Sequence, residues 1–87
     1  MDNLRKQLTD FLPPIFAATA IDTLTGHAVR WRTIQNIRSR NKNLPQEERI
    51  PEKCFLKAGG RKVLIAREPF LDWWLGQLLK ENPHMAE

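Results

Sequence analysis

Val29-Arg30-Trp31-Arg32-Thr33-Ile34-Gln35-Asn36-Ile37-Arg38-Ser39-Arg40 is the stretch on which the reading of the fold turns. Val29, Ile34 and Ile37, with Trp31 or Thr33 filling in, mark one apolar side of a helix, and Arg32, Gln35, Asn36, Arg38 and Ser39 stand on the other. Just upstream, Gly26 can supply the left-handed backbone that ends a helix and turns the chain. The segment before it, through Ile21 and Leu24, reads as a short helix with Thr19 as its N-cap. Two short helices joined by a turn containing Gly fit a helix-turn-helix arrangement.

Outward from this pair, Leu4, Leu8, Phe11 and Leu12 fall at helical spacing before Pro13-Pro14, which predicts a short packing helix that the prolines stop. Ile15 and Phe16 should be extended. On the other side, Arg40 to Pro51 loses periodicity and reads as a mobile loop of about a dozen residues, at the long end of normal. Lys53-Cys54-Phe55-Leu56-Lys57 and Lys62-Val63-Leu64-Ile65-Ala66 are β-prone runs around Ala58-Gly59-Gly60-Arg61, a strong hairpin signal because both glycines tolerate positive φ. Glu68 and Pro69 suit a helix's first turn, and Phe70, Leu71, Trp74, Leu75, Leu78 and Leu79 continue it as a wide apolar stripe, with Pro83 setting its latest end. The expected class is α+β, mostly α, with a two-stranded hairpin and a closing C-terminal helix. Residues 1–87 then make one domain: an N-terminal helix and Pro-Pro linker over 1–14, a core over 15–80 and a tail over 81–87.

Charge is distributed unevenly along the chain. From Arg30 to Arg67 eleven Lys and Arg face three Glu, a local balance of +8, whereas the whole chain nets only +4. The flanks are therefore acidic, and a field of one sign concentrated in the middle is the electrostatic footprint of a nucleic-acid binder. The plain alternative is a solvated basic surface without a partner.

Size and motifs narrow the chemistry. A chain of 87 residues hides only about two thirds of its unfolded surface, leaving little room for a deep catalytic cavity. No phosphate loop, Gly-x-Ser-x-Gly turn or paired-carboxylate site is present, so an enzyme is not expected. His27 and His84 have no companion at metal spacing, no cofactor is implied, and Asp22 and Asp72 read as surface or capping groups. The lone Cys54 cannot form an internal disulfide and reads as a small core or edge residue in a strand. The longest apolar run, Ile15 to Ile21, is broken by Thr19 and is far shorter than the roughly 20 residues that cross a bilayer. No signal-peptide pattern opens the chain, so the expectation is a cytoplasmic, nucleoid-associated protein without a membrane partner. Among the tryptophans, Trp74 is expected in the core and Trp73 over the edge of the hairpin. Trp31 can stack on an unpaired base or, the commoner fate of a lone aromatic near a helix start, pack against its neighbours.

Several pieces together carry a resemblance: Leu24-Thr25-Gly26; Arg32-Thr33-Ile34-Gln35-Asn36-Ile37-Arg38-Ser39-Arg40; Gly59-Gly60-Arg61-Lys62-Val63-Leu64-Ile65; and Phe70-Leu71-Asp72-Trp73-Trp74-Leu75. In this order they resemble the small winged helix-turn-helix proteins of the excisionase and AlpA-like group, of phage or mobile-element type, related in fold to the DNA-binding part of MerR regulators. The match spans roughly Ile15 to Leu79. It departs from the pattern at Arg30-Trp31, where such proteins place a Ser or similar cap, and after Arg40, where Asn41 or Asn43 substitutes for the Gly that ends the recognition helix.

The resemblance implies double-stranded DNA as partner, in the setting of a recombination directionality factor beside an integrase or of a small transcription regulator acting on RNA polymerase. Arg can donate two hydrogen bonds to guanine, and Asn or Gln can bridge the adenine edge. Arg32, Gln35, Asn36 and Ser39 are therefore expected at base edges. Arg30 and Thr33 are candidates at the helix start, Thr33 for a phosphate contact or a packed position. Arg38, Arg40 and Lys42 suit phosphates. On the wing the candidates are Lys57, Gly59, Gly60, Arg61 and Lys62, reaching phosphates or the minor groove. About six phosphate contacts would give a slope of log K against log salt near −5. The rival from another class is a protein-interaction module that uses the apolar terminal helices, Leu4 and Leu8 included, with the basic face serving solubility. Single-strand or RNA binding is disfavoured, since several exposed aromatics at strand spacing are missing.

Overall fold

The computed structural model describes residues 2–60 and 62–86; the expected wing residue Arg61 lies outside them. Helix α1, Asp2–Phe11, stops at the prolines as its sequence requires, and strand β1, Ile15–Ala17, follows. A 3-10 turn, Ala18–Ala20, leads into α2, Ile21–Leu24. Thr19 sits inside that turn, exposed, and does not cap α2, whose preceding residue is Ala20 with no side-chain cap. Gly26 turns the chain at φ 61, and His27 adopts the same left-handed backbone at φ 66. Thr25 Oγ1 knits this turn by accepting the Val29 amide at 3.0 Å and donating to the Ile21 carbonyl at 2.8 Å. Helix α3 then runs Trp31–Ser39.

The segment after α3 is not an open loop. It folds as successive 3-10 turns, Asn41–Asn43, Gln46–Glu48 and Glu52–Cys54, the last of which takes Lys53 and Cys54 out of the expected strand. Neither Asn41 nor Asn43 takes the left-handed conformation of a helix-ending Gly. Asn41 acts instead as a staple, donating from Nδ2 to the Ile50 carbonyl at 3.0 Å and accepting the Ile50 amide on Oδ1 at 3.1 Å. Arg49 adds bonds to the carbonyls of Leu44 and Lys42 at 2.8 and 3.2 Å. These bonds seat Ile50 in the core, 1% exposed.

Strands β2, Phe55–Ala58, and β3, Lys62–Ala66, form the hairpin, with Gly59 and Gly60 both at positive φ. The sheet has three strands rather than two, in the order β1-β3-β2, all antiparallel. β1 adds to the open edge of β3 because Phe16 can then stand opposite Ile65 and share its buried face. Helix α4, Arg67–Glu81, closes the fold, and a final 3-10 turn occupies Pro83–Ala86.

The buried residues make one cluster: Leu12, Phe16, Ile21, Val29, Ile34, Ile50, Cys54, Ile65, Phe70, Leu71 and Leu75, with Ala18, compose it. Phe70 is its hub, edge-on to Phe16 and stacked against Trp74. Leu12, on the apolar stripe read just before the prolines, is only 2% exposed. Arg67 explains how: its amide donates to the Pro14 carbonyl, and Nη1 donates to the carbonyls of Thr9 and Leu12 at 3.0 Å each, satisfying the end of α1. Trp73 packs against the core beside Phe70 and lines a groove with Arg49, Pro51, Gly76 and Lys80.

Candidate nucleic-acid interface

Helix α3 starts without a cap from its own preceding residue, since Arg30 offers no suitable side chain. The acceptor comes from α2: Asp22 Oδ1 takes the Trp31 amide at 2.8 Å. A carboxylate there also faces the positive end of the helix dipole. Inward, Ile34 is fully buried, Ile37 packs beside the core, and Trp31 leans on Phe55 of β2 with ring centroids 6.1 Å apart. Trp31 is therefore packed against a neighbour.

The outer flank of α3 exposes Arg32, Thr33, Gln35, Asn36 and Ser39, with Arg40 just beyond. Arg32, Gln35 and Asn36 make no side-chain hydrogen bond or ion pair among the described residues. Ser39 is locally engaged, its Oγ donating to the Asn36 carbonyl at 2.9 Å. Arg38 differs from its neighbours. Its guanidinium carbon lies 4.1 Å from the centre of the Phe55 ring and Nη2 is 3.1 Å from Glu52 Oε2, so it ties the helix to β2 and to the turn before it.

The hairpin lies beside α3. Lys57 pairs with Val63 in the ladder and so shares the sheet face of Phe55, on which Trp31 and Arg38 rest. A groove of about 230 Å³ between the two elements is lined by Thr19, Trp31, Gln35, Lys62 and Val63 among others. Thus Gln35 of the helix and Lys62 of the hairpin border one depression. Gly59 and Gly60 are exposed at the tip. At the other end of α3, Arg30 and Thr33 border a cleft of about 320 Å³ with His27, against a wall of Trp73 and Trp74. Lys42 is exposed in the turn after α3, away from any ion pair among the described residues.

Besides Asp22 and Glu52, the carboxylates in contact with basic groups lie elsewhere. Arg5 meets Asp72 at 2.7 Å and Glu68 at 3.2 Å, and Arg67 meets Glu68 at 2.7 Å, all where α1 adjoins α4. Arg67 first, then Arg5, hold the Glu68 carboxyl below its ordinary range, and Asp72 above all raises the Arg5 guanidinium. Lys80 pairs with Glu48 at 3.6 Å. None of these bridges involves Arg30, Arg32, Arg40, Lys42, Lys57 or Lys62, which leaves the positive field of the α3–hairpin side uncompensated.

Among the described residues no group of three or more His, Cys, Asp and Glu is arranged to hold a metal. Cys54 is buried, and burial pushes its thiol up to about 11, so the thiolate is scarce near neutrality. No described helix is long and apolar enough to cross a membrane. Leu4 and Leu8 turn toward the core, and the large apolar side chains most exposed are Phe11, Ile15 and Leu56. Asp22, read from the sequence as a surface or capping group, caps an amide nine positions on, whereas Phe55, whose ring anchors α3 from a strand, gave no local signal of that role. Compared with protein-family models, with curated proteins and with solved structures, the chain finds no match.

Proposed function

We propose that this protein is a winged helix-turn-helix module that binds double-stranded DNA with sequence specificity, α3 entering the major groove and the β2–β3 hairpin acting as the wing. The observation that carries the reading is the pairing of a free Arg32/Gln35/Asn36 flank with the uncompensated lysines Lys57 and Lys62 on the adjoining hairpin. Arg32 and Asn36 supply base recognition, Gln35 stands beside them, and Arg30, Arg40 and the wing lysines supply phosphate contacts. Arg38 serves as a brace between helix and wing. The setting follows the excisionase-like resemblance: DNA beside an attachment site, next to an integrase, or a promoter under regulation.

Selection of bound fragments from the source genome, followed by gel-shift titration, tests it. Arg32→Ala and Asn36→Ala should each weaken the selected site by about 1–3 kcal/mol while changing binding to random duplex less. Equal losses on both DNAs would leave α3 without a role in base reading. No duplex binding even at low salt would remove the proposal. Fragments clustered at an attachment site or at promoters separate excision from regulation.

A further inference from the structure

The depression between α3 and the hairpin is built by three elements that the sheet register brings together. β1 runs antiparallel to β3 with Ala17 opposite Leu64, and the ladder stops there because the chain turns away through Ala18–Ala20. The next two residues of β3 toward the hairpin tip, Val63 and Lys62, therefore have no strand partner on that side. The gap so opened lies against α3. Thr19 of the turn, Gln35 of the helix and Lys62 of the strand line it, together with the apolar Ala18, Trp31 and Val63. Thr19, Gln35 and Lys62 are all exposed, and none makes a side-chain hydrogen bond or ion pair among the described residues. Each of the three can donate, and among the described residues lining the gap there is no carboxylate.

We infer that this gap grips one phosphodiester of the DNA backbone, Lys62 pairing with its charge while the Thr19 hydroxyl and the Gln35 amide donate to its oxygens. The inference rests on the docking proposed above for α3 and the hairpin. The sugar–phosphate backbone is the ridge that separates major from minor groove. A duplex with α3 in the major groove and the hairpin reaching toward the adjacent minor groove must lay that ridge across the depression between them. A phosphodiester offers acceptors and a negative charge, which three donors without a carboxylate match, and hydrogen bonds to so charged an acceptor are the strong kind. The deoxyribose beside it, largely carbon, can rest on Trp31 and Val63. Gln35 then belongs to backbone positioning and not to base reading. Thr19, which caps no helix in this fold, acquires a ligand, and the pairing of β1 with β3 is what carries it to the wing.

Duplexes that carry the selected site with one uncharged methylphosphonate at each linkage in turn, titrated by fluorescence anisotropy, test this. For the wild-type chain, a linkage between the base pairs read by Arg32 and the groove reached by the hairpin should weaken binding at least about tenfold when neutralised. That penalty should shrink in Thr19→Val, Gln35→Ala and Lys62→Gln, each with wild-type far-ultraviolet dichroism, while the penalties at other linkages persist. On unmodified DNA, Thr19→Val and Gln35→Ala should each weaken selected and random duplex alike, by about three- to tenfold, and leave the salt slope unchanged. Lys62→Gln should make that slope about 0.9 less steep. A Gln35→Ala loss confined to the selected site, a Thr19→Val chain that binds as the wild type does, or linkage penalties untouched in all three variants each overturns the inference. If Arg32→Ala still weakens the selected site specifically, that failure leaves the role of α3 standing, whereas absence of all duplex binding removes both.

Discussion

Asp22 illustrates how much of this interface rests on single side chains remote in sequence. Its bond to the Trp31 amide replaces the cap that Arg30 cannot offer, so Asp22→Ala should cost about 1 kcal/mol. In a thermal melt that is a fall of roughly 4–8 °C, with Asp22→Asn, which keeps an acceptor, much milder. Glu68 makes a different kind of contribution. Its carboxyl is held below the ordinary value by Arg67 and Arg5, so its ion pairs stabilise the fold above the unfolded-state value of about 4.3 and are lost as pH falls through the lower folded value. The thermal midpoint of Glu68→Gln should therefore fall less steeply with acid than that of the wild type. A parallel decline in both proteins would show that this carboxylate plays no part in the acid response.

At the scale of elements, α3 and the hairpin are joined through one ring. The Phe55 ring meets both Trp31 and the Arg38 guanidinium. Phe55→Ala should cost about 2 kcal/mol in denaturant titration, less than the 3–5 kcal/mol of a fully enclosed Phe, because this ring is half-buried. Asn41→Ala leaves both backbone groups of Ile50 unpartnered, and hydrogen exchange at the Ile50 amide should accelerate well beyond that of core amides in β3. Which elements could be read in advance follows from how local their determinants are. Strand β3, the Gly-Gly tip and α4 from Glu68 onward are written in adjacent residues and form where the sequence puts them. β1 could be read as extended, but its partner could not, since the match of Phe16 to Ile65 spans most of the chain. The Asn41 staple and the Asp22 cap each bridge nine positions, and no short window of sequence contains both ends. The exposed flank of α3 was legible from helical spacing; the diversion of Arg38 onto Phe55 and Glu52 depended on tertiary placement.

Over the whole molecule, charge is sorted by side. Glu68 and Asp72 and their arginine partners gather where α1 meets α4, while among the described residues Arg30, Arg32, Arg40, Lys57 and Lys62 make no ion pair around α3 and the hairpin. If α3 and the hairpin bind DNA as proposed, the four phosphate contacts of Arg30, Arg40, Lys57 and Lys62 predict a slope of log K against log salt of about −3.6. Fluorescence anisotropy across a salt series measures it, and a slope near zero would separate the positive field from binding altogether. The core bears on such measurements in another way. Cys54 sits at 0% exposure within the cluster, protonated at neutral pH. A colorimetric thiol reagent can reach that sulfur only when the cluster opens, so the labelling rate becomes a clock for rare excursions of the native state. Any ligand that grips only the closed form should slow the clock by a factor of 1 + [L]/Kd, which makes one silent sulfur a readout of occupancy without a dye on either partner.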